Sequence, residues 1–154
     1  MNGKTYVFLS FIKGEINMIK NIIRDEKFLM IKSLPATIED LYIKDDLLDT
    51  LKFNRSRCVG MAANMIGISK RIIIFENEKR EYVVMFNPKI IRFEEKFEAE
   101  EGCLSLDGSR KTIRYKKIKV EFFNEKFQKR IQTFTGFTAQ IIQHEIDHLN
   151  GIII

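Results

Sequence analysis

The chain has 154 residues, 45% apolar and 31% charged, with 26 Lys and Arg against 21 Asp and Glu for a formal net charge of +5. That length and apolar share predict one globular domain with its own core, and a small basic excess on an otherwise mixed surface excludes a dedicated nucleic-acid binder while allowing a weak contact with a polyanion such as ribosomal RNA. No apolar run approaches the ~20 residues of a membrane span, and the scattered lysines do not resemble the basic start of a signal peptide, so the expected location is the cytoplasm, without a membrane partner.

Residues 1–17 stand apart. An apolar patch from Tyr6 to Ile12 is followed by Lys13-Gly14-Glu15, and the pattern becomes regular only at Met18. Two readings are open: an extra strand or short helix, or an extension ahead of a true start at Met18, since Lys-Gly-Glu can be encoded by a purine-rich stretch resembling a ribosome-binding site. The expected domain is therefore 18–154. Phe28 to Ser33 reads as extended and closes at Pro35. Thr37 with Asp40 then forms a capping-box-like start, and Leu41, Leu47, Leu48 and Leu51 give the following helix an apolar stripe that fades by Asn54.

Cys58 to Gly67 is a run of small residues bounded by glycines, expected as a loop or strand lining a cleft. Arg71 to Phe75 and Glu81 to Phe86 read as a hairpin turning at Glu76 to Arg80, ended by Asn87-Pro88, with pairing resuming over Lys89 to Phe93. An acidic segment follows around Glu101-Gly102-Cys103-Leu104-Ser105. Thr112 to Phe123 and Lys129 to Phe134 alternate as two strands turning at Asn124 to Phe127. A last helix, Phe137 to Asn150, has Thr135 to cap its start and Gly151 its end. Together these elements predict an α+β domain of mixed or antiparallel strands around a central helix.

That helix carries His144-Glu145-Ile146-Asp147-His148, which includes the only two histidines of the chain. Positions i and i+4 share a helix face, so both imidazoles can reach one cation while Glu145 flanks it. This is the H-E-x-x-H arrangement, two metal ligands with a glutamate that handles the proton of an activated water. An amphipathic core helix with two satisfied histidines is the plainer alternative. A third ligand is needed, and Cys103 is the best candidate; a thiolate and two imidazoles leave a fourth tetrahedral position open, as in catalytic rather than structural sites. A Cys58–Cys103 disulfide is the less expected use of the two cysteines in a cytoplasmic chain.

Three segments in one order, the run ending at Met65, Glu101-Gly102-Cys103-Leu104-Ser105 and His144-Glu145-Ile146-Asp147-His148, resemble the motifs of peptide deformylases. The resemblance implies removal of the formyl group from N-formylmethionine of new polypeptides, releasing formate. It further implies metal ligation by Cys103, His144 and His148, proton transfer by Glu145 and an oxyanion contact from the Leu104 backbone amide. Gly60 and Gly102 are expected along the substrate path. The ion would be Fe(II), with Zn or Ni able to substitute, although the donor set alone suggests zinc.

Two departures stand out. The family's first motif begins with glycine and ends with glutamine, where this chain has Cys58 and Met65, and methionine has no donor to offer a reacting oxygen. The chain also stops at Ile154, ahead of the extra C-terminal helix of many bacterial members. The competing functions are a metal-dependent amidase or deacylase acting on another small N-acyl substrate, and a non-catalytic paralogue that keeps the metal as a brace while binding ribosomes or peptides.

Overall fold

The computed structural model describes residues 7–12 and 15–154. Strands β1 (Val7–Ile12) and β2 (Glu15–Lys20) form an antiparallel hairpin, so the patch expected from Tyr6 to Ile12 is extended where it is described. Tyr6, Lys13 and Gly14 lie outside the described residues. β2 runs alongside the helix α2 (Ile43–Phe53), where the Lys20 backbone N–H donates to Thr50 Oγ1 at 3.0 Å.

The remaining strands are β3 (Gly60–Ala62), β4 (Ile72–Glu76), β5 (Tyr82–Cys103), β6 (Leu106–Phe123) and β7 (Lys129–Thr135), and they form one antiparallel sheet in that order. Ile72, Ile73, Ile74 and Phe75 of β4 are all buried. A half-covered strand would alternate, but β4 meets both α2 and the last helix α3 (Gly136–Leu149), so neither of its faces reaches water. On α3, Ile142, Ile146 and Leu149 recur at helical spacing and are buried, each worth about 1.5–3 kcal/mol of apolar burial. Gln143 fastens the same helix to β6 by accepting from the Tyr115 N–H and donating to its carbonyl, both at 2.8 Å. Among the described residues no helix is long and apolar enough to cross a membrane.

Several expected elements appear as read. Thr37 N–H donates to the Asp40 carboxylate at 2.8 Å, although this box closes a 3-10 turn, Ile38–Asp40, and α2 follows it only from Ile43; the β6–β7 turn falls at Asn124 to Gln128. Three differ. The segment read as extended begins inside a short helix, α1 (Glu26–Leu29), because the Asp25 carboxylate accepts from the Lys27 N–H at 3.0 Å and caps it. Asn87-Pro88 does not end its strand: Phe86 faces Phe123, Lys89 faces Glu121, and β5 continues to Cys103 past the irregularity. Asn87 takes φ 53 and clasps Ala36, accepting from its N–H at 2.7 Å and donating to its carbonyl at 2.9 Å. Pro88, without an N–H, sits where the ladder skips. Thr135 has the extended backbone of a cap but its side chain makes no capping bond; Gly136, at φ 61, turns the chain from β7 into α3.

The end of α3 does use its glycine. Gly151 has φ 72, and a Cβ there would meet the Met30 carbonyl carbon at 2.8 Å, while Ser33 N–H donates to Leu149 O at 2.9 Å across the same junction. Gly151→Ala is therefore expected to lose at least about 2 kcal/mol from left-handed strain and the backbone clash together. A thermal unfolding midpoint within a degree of wild type would show that this junction yields freely.

Candidate active site

Helix α3 and the tip of the β5–β6 hairpin bring three donor atoms together. Cys103, the last residue of β5, lies just before a two-residue turn, Leu104-Ser105. Its Sγ is 3.2 Å from His148 Nε2, which is in turn 3.2 Å from His144 Nε2. All three ligand atoms lie within 4.8 Å of one another. Lone pairs crowded this closely in a buried place repel unless a proton or a cation stands between them, and thiolate with two imidazoles is a borderline-soft donor set suited to a divalent transition ion. These residues fit such an ion.

His144 is held from behind. Its Nδ1 is 2.9 Å from Glu101 Oε1, which leaves Nε2 free to face the other ligands. Glu101 also accepts from Arg114 Nη2 at 2.7 Å and from Gln140 Nε2 at 2.8 Å, and Arg114 Nη1 reaches Asp147 at 2.7 Å. The charges of this buried chain are thus paired on both sides of the guanidinium. Burial alone would raise the Glu101 carboxyl, yet hydrogen bonds from His144, Arg114 and Gln140 draw it down to about 2. Glu101 stands inside a motif, whereas Arg114 and Gln140 have no motif to mark them. One signal for Arg114 was available: it shares the inward face of β6 with Ile118, Val120 and Phe122, an apolar face that a charge occupies only with partners.

Glu145 sits one residue along from His144, and only 4% of it is exposed. Its Oε2 has no partner among the described residues, and burial pushes its carboxyl up to about 7. Desolvation and the neighbouring His144 and Arg114 lower the pKa of His148 and favour its neutral form, while for His144 contacts with Cys103 and Glu101 outweigh burial and raise it.

Cys103, His144 and Glu145 open on a cleft of about 260 Å³ that Gly60, Met65, Gly102 and Leu104 also line. The sequence-expected site residues are thereby gathered in one place, with His148 buried behind. Gly60 is required sterically: a Cβ there would come within 2.7 Å of Ile141 and 3.2 Å of Glu145 Oε1, so its absence lets β3 pass directly against α3. Gly102 has no such crowding, with only Gly108 O within ordinary contact at 3.5 Å. Met65 is 1% exposed, and its sulfur accepts from the Ala62 N–H at 3.4 Å. Both cysteines are free. The Cys58 thiol donates to Gly60 O at 2.7 Å, and burial pushes it up to about 12, a poor state for a thiolate ligand.

The family model of polypeptide deformylases matches residues 19–154. A peptide deformylase of Clostridium beijerinckii is 53% identical over 137 residues, covering 89% of this chain and all of that protein. Among solved structures, a Met-Ala-Ser-bound class I type b peptide deformylase from Acinetobacter baumannii superposes with a TM-score of 0.76 at 34% identity, over 88% of this chain and 94% of that one. A peptide deformylase from Legionella pneumophila gives 0.78 at 32% identity, over 88% and 83%. With the match running from the second β-hairpin strand to the final residue, through every segment that builds the cleft, this chain belongs to the polypeptide deformylase family.

Proposed function

We infer that this protein removes the formyl group from the N-terminal formylmethionine of nascent polypeptides, releasing formate and a free amine. The observation that carries the reading is the convergence of the ligand atoms of Cys103, His144 and His148 within 4.8 Å at a cleft lined by Glu145, whose Oε2 has no partner among the described residues. Cys103, His144 and His148 would hold a divalent ion, which when bound would supply Lewis acidity and make water more acidic. Glu145, kept near neutrality by burial, takes a proton from the attacking water and returns it to the departing nitrogen. The Leu104 N–H donates to the oxygen on which negative charge develops. Glu101 fixes the tautomer of His144, and Gly60 keeps Glu145 close to the edge strand β3, along which an extended peptide can lie.

The ion expected in the cell is Fe(II), with Zn or Ni able to replace it. The catalytic domain is residues 18–154, the location is cytoplasmic, and the basic excess of +5 supports a weak contact with the ribosome. Formate release from formyl-Met peptides by anaerobically purified, iron-loaded protein tests the activity. Acetate release from acetyl peptides in its place would move the assignment to another N-acyl amidase, the reading that Met65 leaves open, and no turnover of either would favour a binding paralogue.

Met65 itself is testable. A glutamine of similar length can accept the Ala62 N–H with its oxygen, as the sulfur now does at 3.4 Å, and turn its NH₂ toward the cleft. One such donor is worth ~10²–10³ in turnover, so Met65→Gln is expected to raise deformylation about ten-fold or more with unchanged metal content. A flat or lower rate on formyl-Met peptides would mean that the oxyanion is already met by other donors.

A further inference from the structure

The two histidine ligands are treated unequally by their surroundings. His144 presents its outer nitrogen to Glu101 at 2.9 Å. His148 is 0% exposed, yet its Nδ1 has no partner among the described residues. A buried imidazole that offers Nε2 to a cation must carry its proton on Nδ1, and a buried N–H left unmatched is costly. Metal-ligating histidines almost always give that proton to an acceptor.

One side chain reaches His148 with an acceptor to spare. Asn64, in the short 3-10 turn after β3, is 0% exposed, and its Nδ2 donates to the His148 carbonyl at 2.9 Å. Its Oδ1 is also buried without a partner among the described residues. An unmatched donor and an unmatched acceptor thus belong to two residues already joined by a hydrogen bond, from the Asn64 side chain to the His148 backbone. We propose that Asn64 is the positioning residue of His148, its Oδ1 accepting the Nδ1–H directly after a small rotation or through one trapped water, so that the amide fixes both the backbone and the ring of this ligand. The arrangement gives His148 what Glu101 gives His144, with a neutral acceptor in place of a carboxylate. A neutral partner suits this ligand, since a second carboxylate would add negative charge in a place that already holds Glu101, Glu145 and Cys103. The proposal rests on the metal-centre reading above.

The test uses full-length protein loaded with zinc, as wild type, Asn64→Leu, Asn64→Asp and Ser105→Ala. Ser105 is included because its Oγ is another buried unpartnered group, two residues from Cys103. Two quantities are read: the rate at which excess chelator removes the ion, and the imidazole ¹⁵N–¹H signal of His148 in labelled protein. Wild type should hold one ion and show a slowly exchanging Nδ1 proton. Asn64→Leu should release zinc ~10–100-fold faster and lose that protection. Asn64→Asp, which keeps the acceptor but not the donor, should retain zinc much longer than the leucine variant even if its unfolding midpoint falls as far, and Ser105→Ala should match wild type. Should the leucine variant fail to fold, rapid zinc loss from the aspartate variant overturns the proposal and retention supports it. Wild-type release rates in Asn64→Leu, or fast release from Ser105→Ala alone, also overturn it. A wild type that binds no zinc removes the metal reading itself and Asn64's role with it.

Discussion

Cys103→Ser, His144→Ala and His148→Ala are each expected to strip the protein of its ion and abolish deformylation. An open site has three protein ligands and no redundancy, and here the three donor atoms lie within 4.8 Å of one another. Removing one leaves two, on a geometry whose supporting contacts, Glu101 behind His144 and the hairpin tip behind Cys103, no longer converge on a filled position. The variants should also lose the stabilisation that a tightly held ion adds, about 4 kcal/mol at a thousand-fold excess over its dissociation constant, so their unfolding midpoints should stop responding to added metal. His148→Ala should be the least stable of the three, because its ring is fully buried and its loss opens a cavity beside α3. Metal content per chain, read by elemental analysis, decides the matter. Full occupancy in all three variants would place the ion elsewhere.

Glu145→Gln separates chemistry from binding. The carboxylate lines the cleft and is 4% exposed, and its Oε2 has no partner among the described residues. Glutamine keeps its length and shape against Gly60 and Ile141 but cannot accept and return a proton. Metal content is expected to stay near wild type while kcat falls by ~10²–10⁴. Loss of the ion in this variant would instead make Glu145 a ligand.

What could be read from the residues alone was whatever local geometry determines. Two histidines four positions apart share a helix face in any α-helix, so the spacing of His144 and His148 already implied a shared target. Phe137, Ile141, Ile142, Ile146 and Leu149 mark the apolar stripe of the same helix, and all of them but the exposed Phe137 are buried, while Cys103 was legible through the motif that surrounds it. The features that emerged only in the folded chain depend on residues far apart in sequence. Asn87-Pro88 looks like a strand end, but the pairing of Phe86 with Phe123 and Lys89 with Glu121 on either side carries β5 through it. Arg114 has no local mark of function, yet it joins Glu101, 13 residues away, to Asp147, 33 residues away. Asn64 meets His148 across 84 residues. Helix periodicity follows from bonds between near neighbours, so sequence spacing determines it. The partner of a buried polar group is instead chosen by whichever element the packed core brings beside it, and that choice exists only once the strands and α3 have closed on one another.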